Sequence, residues 1–323
     1  LSVLILSSPQ DLHSQAVERQ LVKLGKSVSY WRPQNLLNDS TFNLTLGGNE
    51  ELLCRVRMVG EESVLELNQF ESVWLRRPGQ VKSRPMPASW IERLCEHEST
   101  RALQGTFRLW PCFWVNHPQK QSEAMLKIYQ LEMAKQCGLL VPKTLITNDP
   151  EQARLFSKSE KGKIIYKLID SRSGLCFPSS ELPRSIPTMP FRQTDADYLN
   201  QVASCLHLFQ ARVKKVSDLR VTIVGQSIFA AEIKSQSEGE LLDWRSHAEL
   251  PMAEFQLPET VKKSCLRLMQ RLGLTFAALD FCLDSDGRCV FLEINPDGQF
   301  LWIEEEVGLP ISKALARLLA QAE

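Results

Sequence analysis

Short apolar runs alternate along this chain with segments whose apolar residues recur every three to four positions, so strands and amphipathic helices are expected to follow one another throughout. Ser2–Ser7 (SVLILS) reads as a strand. Leu12, Ala16, Val17, Leu21 and Leu24 mark one face of a helix stopped by Gly25, and Ser27–Trp31 reads as a second strand. That opening is a β-α-β unit. From Thr41 to Leu75, short runs with turn signals at Gly47-Gly48 and Gly60 predict hairpins on the edge of the first sheet. They end in Trp74-Leu75-Arg76-Arg77-Pro78, whose arginines read as a solvated strand end, with an anion-binding corner as the alternative. Pro87–Leu103 predicts a helix, Phe107–Val115 an aromatic segment buried between domains, and Asn116-His117-Pro118 a boundary.

Lys120–Cys137 then has the helical period again and stops at Gly138. Val141–Thr147 is a strand, and Asn148-Asp149-Pro150 caps the next helix. Lys163–Ile169 (KIIYKLI) is a strand that holds Lys167, a charge that must reach water or an anion. Asp170–Thr194, rich in Ser, Pro and Arg, predicts an irregular arm or loop, and Asp197–Gln210 a helix. Leu219–Val224 and Ser227–Ile233 pair across a Gly225-Gln226 turn, with Asp218 and Arg220 on one face of the first strand. Glu240–Arg245 reads as a loop or short strand, Glu259–Leu272 as a helix stopped by Gly273, and Pro310 opens a last helix.

The most informative stretch is Phe276–Gly298, FAALDFCLDSDGRCVFLEINPDG. Asp286-Gly287 suits a two-residue hairpin turn. Symmetric closure pairs Asp284 with Cys289, Asp280 with Glu293 and Ala278 with Asn295, so Asp280, Glu293 and Asn295 share a face with Cys282 and Cys289. Ala277, Leu279, Phe281, Leu283, Val290, Leu292 and Ile294 form the opposite, core face. Two carboxylates directly across a strand pair have Cβ atoms roughly 4.5 to 5.5 Å apart and repel unless a cation stands between them. Two carboxylates and an amide oxygen suit Mg²⁺, which usually completes its shell with water and substrate phosphates. A solvated strand pair is the bland alternative.

Length and charge narrow the rest. The 323 residues suffice for two or three domains, and Lys+Arg 38 against Asp+Glu 38 favours neither nucleic acid nor a membrane surface. No apolar run approaches the ~20 residues of a membrane span and no signal peptide is evident, so a soluble cytoplasmic protein is expected. Nine cysteines without a C-x-x-C pair or zinc-like spacing read as reduced, mostly buried thiols. The turn after the first strand, SSPQD, lacks the glycines of a dinucleotide site, and Leu24-Gly25-Lys26-Ser27 leaves a helix where a P-loop would enter one.

The lysines, the irregular cover, the KVSDLRVTIVG strand and the FLEINP hairpin together resemble the ATP-grasp ligases over roughly residues 119–323. LEINPDGQFLWIEEEVGLPISKALARLL, with VWLRRP in the first domain, extends the resemblance over nearly the whole chain to the ATP-grasp peptide maturases, the graspetide synthetases with the microviridin-type macrocyclases. The resemblance implies an α/β and α+β chain, an ATP-grasp fold behind an N-terminal Rossmann-like domain, divided at 1–117, 118–209 and 210–323. Its cofactors would be ATP and Mg²⁺. Lys127 and Lys167 would meet the phosphates, Lys215 of the K-x-x-D-x-R stretch would bind the cofactor, and Gln210, Ala211, Arg212 and Val213 would form the hinge against adenine. Asp280, Glu293 and Asn295 would hold the metal, Arg220 would face the transferred phosphoryl group, Asp218 would orient cations, and Arg245 would meet the peptide carboxylate or acyl phosphate.

The implied reaction activates an Asp or Glu side chain of a ribosomal precursor peptide, leader and core, and closes ester or amide macrocycles. A homodimer is implied. The competing expectations are an ATP-grasp ligase that adds an amino acid to a small molecule or protein tail, and a nucleotide-binding module without turnover.

Overall fold

The computed structural model describes residues 2–47, 53–60, 62, 64–170, 188–191, 201–235, 242, 244 and 250–321. Its first sheet is parallel throughout, in the order β2-β1-β6-β7, with β1 at Ser2–Leu6, β2 at Ser27–Trp31, β6 at Ser72–Leu75 and β7 at Phe113–Val115. Alternate residues of β1 serve two cores: Val3 and Ile5 face the Leu12–Lys23 helix and the C-terminal part of the chain, whereas Leu4 and Leu6 face Trp31, Phe107 and Trp114. The strands β3 (Ser40–Thr45), β4 (Leu53–Met58) and β5 (Val64–Glu66) do not extend this sheet. They form a separate antiparallel sheet of three. Their strict alternation explains the correction, because one apolar face carrying Phe42, Leu44, Cys54 and Val56 packs flat on the Trp31 cluster. The helix expected to close at Leu103 runs over Ser89–Leu109, since nothing after Leu103 breaks it and Phe107 is buried.

Asn116, at the expected boundary, is a buried pin. Its Nδ2 donates to the carbonyls of Phe276 (2.8 Å) and Pro296 (2.9 Å), while its Oδ1 accepts from the amides of Thr275 (2.8 Å) and Phe276 (3.0 Å). Truncation would strand these backbone groups away from water. Asn116→Ala is therefore expected to lower unfolding free energy by about 3 kcal/mol in urea titration.

The predicted Lys120–Cys137 helix divides at Met125-Leu126 into Pro118–Ala124 and Lys127–Gln136, and the break puts Lys127 at the start of the second helix. An antiparallel sheet follows in the order β10-β9-β11-β8: β8 is Thr144–Thr147, β9 Ile164–Lys167, β10 Met189–Pro190 and β11 His207–Ala211. Asp149 caps the intervening Pro150–Ser159 helix as expected, accepting from the amide of Glu151 at 2.8 Å. Residues 207–210, expected to be helical, are strand; the run is too short for its apolar pattern to separate the two, and pairing with β8 and β9 decides. Most of the 170–194 segment, and residues 197–200 of the expected helix, lie outside the described residues.

The last sheet has five strands in the order β14-β13-β12-β15-β16, all antiparallel, with β12 at Lys215–Val224, β13 at Ser227–Ile233, β14 at Met252–Glu254, β15 at Phe276–Asp284 and β16 at Cys289–Asn295. Val224 pairs with Ser227 across the predicted Gly225-Gln226 turn. The Glu259–Leu272 helix covers one face of the sheet, and its end is set by Gly273 in the left-handed region at φ 66°.

Candidate functional site

A cleft runs between the β9–β11 sheet and the exposed face of the five-stranded sheet; its space, open mouth included, is ≈ 940 Å³. Two irregularities decide which side chains reach it. In β12 the register shifts between Lys215 and Ser217, so Val216 is an extra, exposed residue. Lys215 and Asp218 are three apart and would face opposite ways in a regular strand. The bulge puts them together, with Lys215 Nζ 2.5 Å from Asp218 Oδ2.

The second irregularity corrects the hairpin. The Asp284 carboxylate accepts from the amides of Asp286 (3.0 Å) and Arg288 (2.8 Å), which opens the turn to three residues with Gly287 at φ 77°. Those bonds also hold the Asp284 carboxyl below its usual range, the bond from the Arg288 amide first. Cys289 consequently pairs with Leu283 where Asp284 was expected. A shift between Asp280 and Phe281 then makes Leu292 the extra residue of β16 and restores the expected pairs, Asp280 with Glu293 and Ala278 with Asn295. Cys289 and Phe291 turn into the core, while Leu292 lines the cleft beside Cys282. The apolar run Val290-Phe291-Leu292 was the sequence signal, because three in succession cannot all obey a period of two.

Asp280, 4% exposed, lies opposite Arg220 on the neighbouring strand and binds its Nη1 at 2.7 Å. Asn295 Nδ2 donates to Asp280 Oδ2 at 3.2 Å and to Glu293 Oε1 at 3.4 Å. Lys127 Nζ stands 3.5 Å from Glu293 Oε2 and donates to Leu168 O at 3.0 Å, joining the helix start, the exit of β9 and the hairpin. Burial raises the pKa of Asp218, against the charge of Lys215. Burial also pushes the Cys282 thiol up to about 12, with the Asp218 charge adding to it, so Cys282 is a neutral packing group.

Lys167, Gln210, Ala211, Arg212 and Val213 all line the same cleft. Gln210 is 1% exposed; its Nε2 donates to Thr144 Oγ1 at 3.0 Å and its Oε1 has no partner. Arg220 and Asn295 lie behind the lining, bonded to the carboxylates that form it. Arg245 lies outside the described residues. Sequence reading missed the place of Leu292 in the cleft, and Trp244, which lines the cleft with its ring 5.0 Å from that of Trp302.

Among the described residues no three His, Cys, Asp or Glu side chains group as a metal site. The candidate set is two carboxylates and an amide, which is the small protein share of a Mg²⁺ shell that substrate oxygens complete. The fit is good on chemistry: the amide NH₂ now bridges the two carboxylates, and turning the amide over presents its oxygen to the same point.

No protein-family model and no curated protein matches the chain. Solved structures do. Macrocyclase MdnC of Microcystis aeruginosa, bound with precursor peptide MdnA, is 28% identical with 99% of both chains covered and a TM-score of 0.86. The chain has the fold of the ATP-grasp peptide maturases and is similar to them over its whole length. Macrocyclase MdnB of the same organism is 26% identical over 99% of both chains, TM-score 0.81. A Chryseobacterium gregarium ATP-grasp ligase in complex with ADP and a leader and core peptide has a TM-score of 0.88 at 22% identity, covering 100% of this chain and 97% of its own. The cleft between two antiparallel sheets is accordingly the ATP-grasp cleft. No described helix is long and apolar enough to cross a membrane.

Proposed function

We propose that this ATP-grasp chain is a macrocyclase of ribosomal peptides that activates Asp or Glu side chains of a precursor as acyl phosphates. A Ser or Thr hydroxyl, or a Lys amine, then displaces phosphate to give an ester or amide. The observation that carries the reading is the cleft's array of cation–carboxylate pairs, Lys127–Glu293, Lys215–Asp218 and Arg220–Asp280, whose carboxylates share one sheet face while Lys127 reaches it from a helix start.

A carboxylate is a poor electrophile, and passing the γ-phosphoryl group to it requires spread of charge and in-line placement. Lys127, Lys167 and Lys215 would meet the triphosphate oxygens as point charges. Asp280, Glu293 and Asn295 would hold Mg²⁺, which supplies charge neutralisation between the phosphates, and Asp218 would keep Lys215 oriented. Arg220 presents its guanidinium beside Asp280, where the transferred group would pass. The base would lie between Ile165 or Leu168 and Leu292, beside the chain that leaves β11 through Ala211, Arg212 and Val213.

The parts 1–117, 118–209 and 210–323 are proposed as domains, with leader recognition by the segments around 170–194 and 233–250 and with a homodimeric assembly. The test of function is incubation with ATP, Mg²⁺ and any short peptide rich in Thr/Ser and Asp/Glu that is encoded beside the gene. Loss of one water per link supports macrocyclisation. A gain of mass by an amino-acid residue supports the alternative ligase, and an unchanged peptide with no ADP formed contradicts both.

A further inference from the structure

Arg76, read from the sequence as the end of a solvated strand, is 1% exposed, whereas Arg77 beside it is exposed. The reason is its place. Arg77 N–H donates to Leu6 O at 3.1 Å, which ties the exits of β6 and β1 together, and Arg76 turns from that edge toward the C-terminal sheet. Its Nη1 donates to Asp297 O at 2.5 Å, and its Nε stands 3.5 Å from Oδ1 of Asp11, the residue that caps the Leu12–Lys23 helix. Neither Nε nor Nη2 makes a hydrogen bond.

Asp297 begins the loop that leaves the hairpin just after Asn295. Two residues further on, Gln299 O accepts from Arg220 Nη2 at 3.0 Å, while Arg220 Nη1 holds Asp280. Gly298 between them is pressed against the site: a Cβ there would lie 2.3 Å from Ala278 Cβ and 2.9 Å from Arg220 Nη2. The three-residue loop is thus gripped at one end by an arginine of the first sheet and at the other by an arginine of the cleft. The nearby His13 adds no charge, because burial, reinforced by the Arg76 charge, lowers its pKa to about 4.

We propose that Arg76 is a positioning residue for phosphoryl transfer: by fixing Asp297 O it sets the Gln299 carbonyl, and through it the angle of Arg220 against Asp280, without touching nucleotide or peptide. The inference rests on the ligase reading above. Cohesion alone does not account for this residue. Val3, Ile5, Val224, Phe276 and Phe300 already join the two sheets by apolar packing, and apolar residues hold such an interface at least as well as a buried charge with unfilled donors.

The test measures ADP formation with the neighbouring precursor peptide and, separately, MgADP binding by calorimetry. Arg76→Gln is expected to lower kcat about 100-fold, as a misplacement of about 1 Å does, with the Kd for MgADP and the peptide KM within about threefold of wild type. Arg76→Lys should recover about tenfold. Asp11→Asn, which keeps a capping residue, should cost about tenfold, and these two variants decide the matter where Arg76→Gln does not fold. A kcat within threefold of wild type in folded variants overturns the proposal. So does parallel loss of kcat, MgADP affinity and thermal stability without rescue by lysine, which marks a merely structural contact. Wild-type protein that forms ADP but ignores Arg76 leaves the ligase reading standing; wild-type protein that binds no MgADP removes both.

Discussion

Glu293→Gln is expected to leave the fold intact and to reduce ADP formation from MgATP by at least about 1,000-fold. The side chain is nearly isosteric, and its amide oxygen can still accept from Lys127 or from Asn295, which stand 3.5 Å from Oε2 and 3.4 Å from Oε1 of the present carboxylate. What disappears is charge. Asp280, the remaining carboxylate, is already engaged by Arg220 at 2.7 Å, so one anionic ligand shared with a guanidinium is left to hold a divalent ion. A coupled ADP assay beside a thermal melt checks both halves. Turnover near wild type at an unchanged melting temperature would remove Glu293 from the metal set.

Arg220 separates stability from chemistry. Arg220→Met removes the guanidinium bonded to Asp280, 4% exposed, and is expected to cost about 3–5 kcal/mol of stability as well as nearly all turnover. Arg220→Lys keeps the charge but cannot bond Asp280 and Gln299 O together as the planar fork does, so stability should fall little while kcat falls about 100-fold. Urea titration and steady-state kinetics on the two variants give the contrast. Equal kinetic losses at equal stability would mean that Arg220 serves only as a counter-charge.

The hairpin shows both what sequence could supply and why it stopped there. Asp280 faces Glu293 as the symmetric turn predicted, but through two one-residue offsets that cancel: a three-residue turn built by the Asp284 carboxylate, and a bulge at Leu292. Period-two reasoning therefore found the carboxylates and misassigned Cys289 and Leu292, which lie between the two offsets. The K-x-x-D spacing of Lys215 and Asp218 makes sense only with the bulge at Val216. Lys167 was legible because a charge inside an apolar strand demands an outlet, and it lines the cleft. Arg76 was not legible, since its burial comes from Asp297, more than two hundred positions away in sequence. The separate β3–β5 sheet and the strand at His207–Ala211 were likewise decided by packing partners that short patterns do not encode.

The three cation–carboxylate pairs of the cleft also set its binding thermodynamics. Phosphates must draw Lys127 and Lys215 from Glu293 and Asp218, and a divalent ion must draw the carboxylates from their cations. Each ligand alone leaves the other half of a broken pair uncompensated in a partly buried site; together they exchange partners at little cost. The most direct measurement is therefore calorimetric titration of ADP with and without Mg²⁺, on wild type and Glu293→Gln. The account predicts at least about tenfold tighter ADP binding with Mg²⁺ in wild type and loss of that gain in the variant. ADP binding that ignores Mg²⁺, or a Mg²⁺ effect that survives without the Glu293 carboxylate, would contradict it.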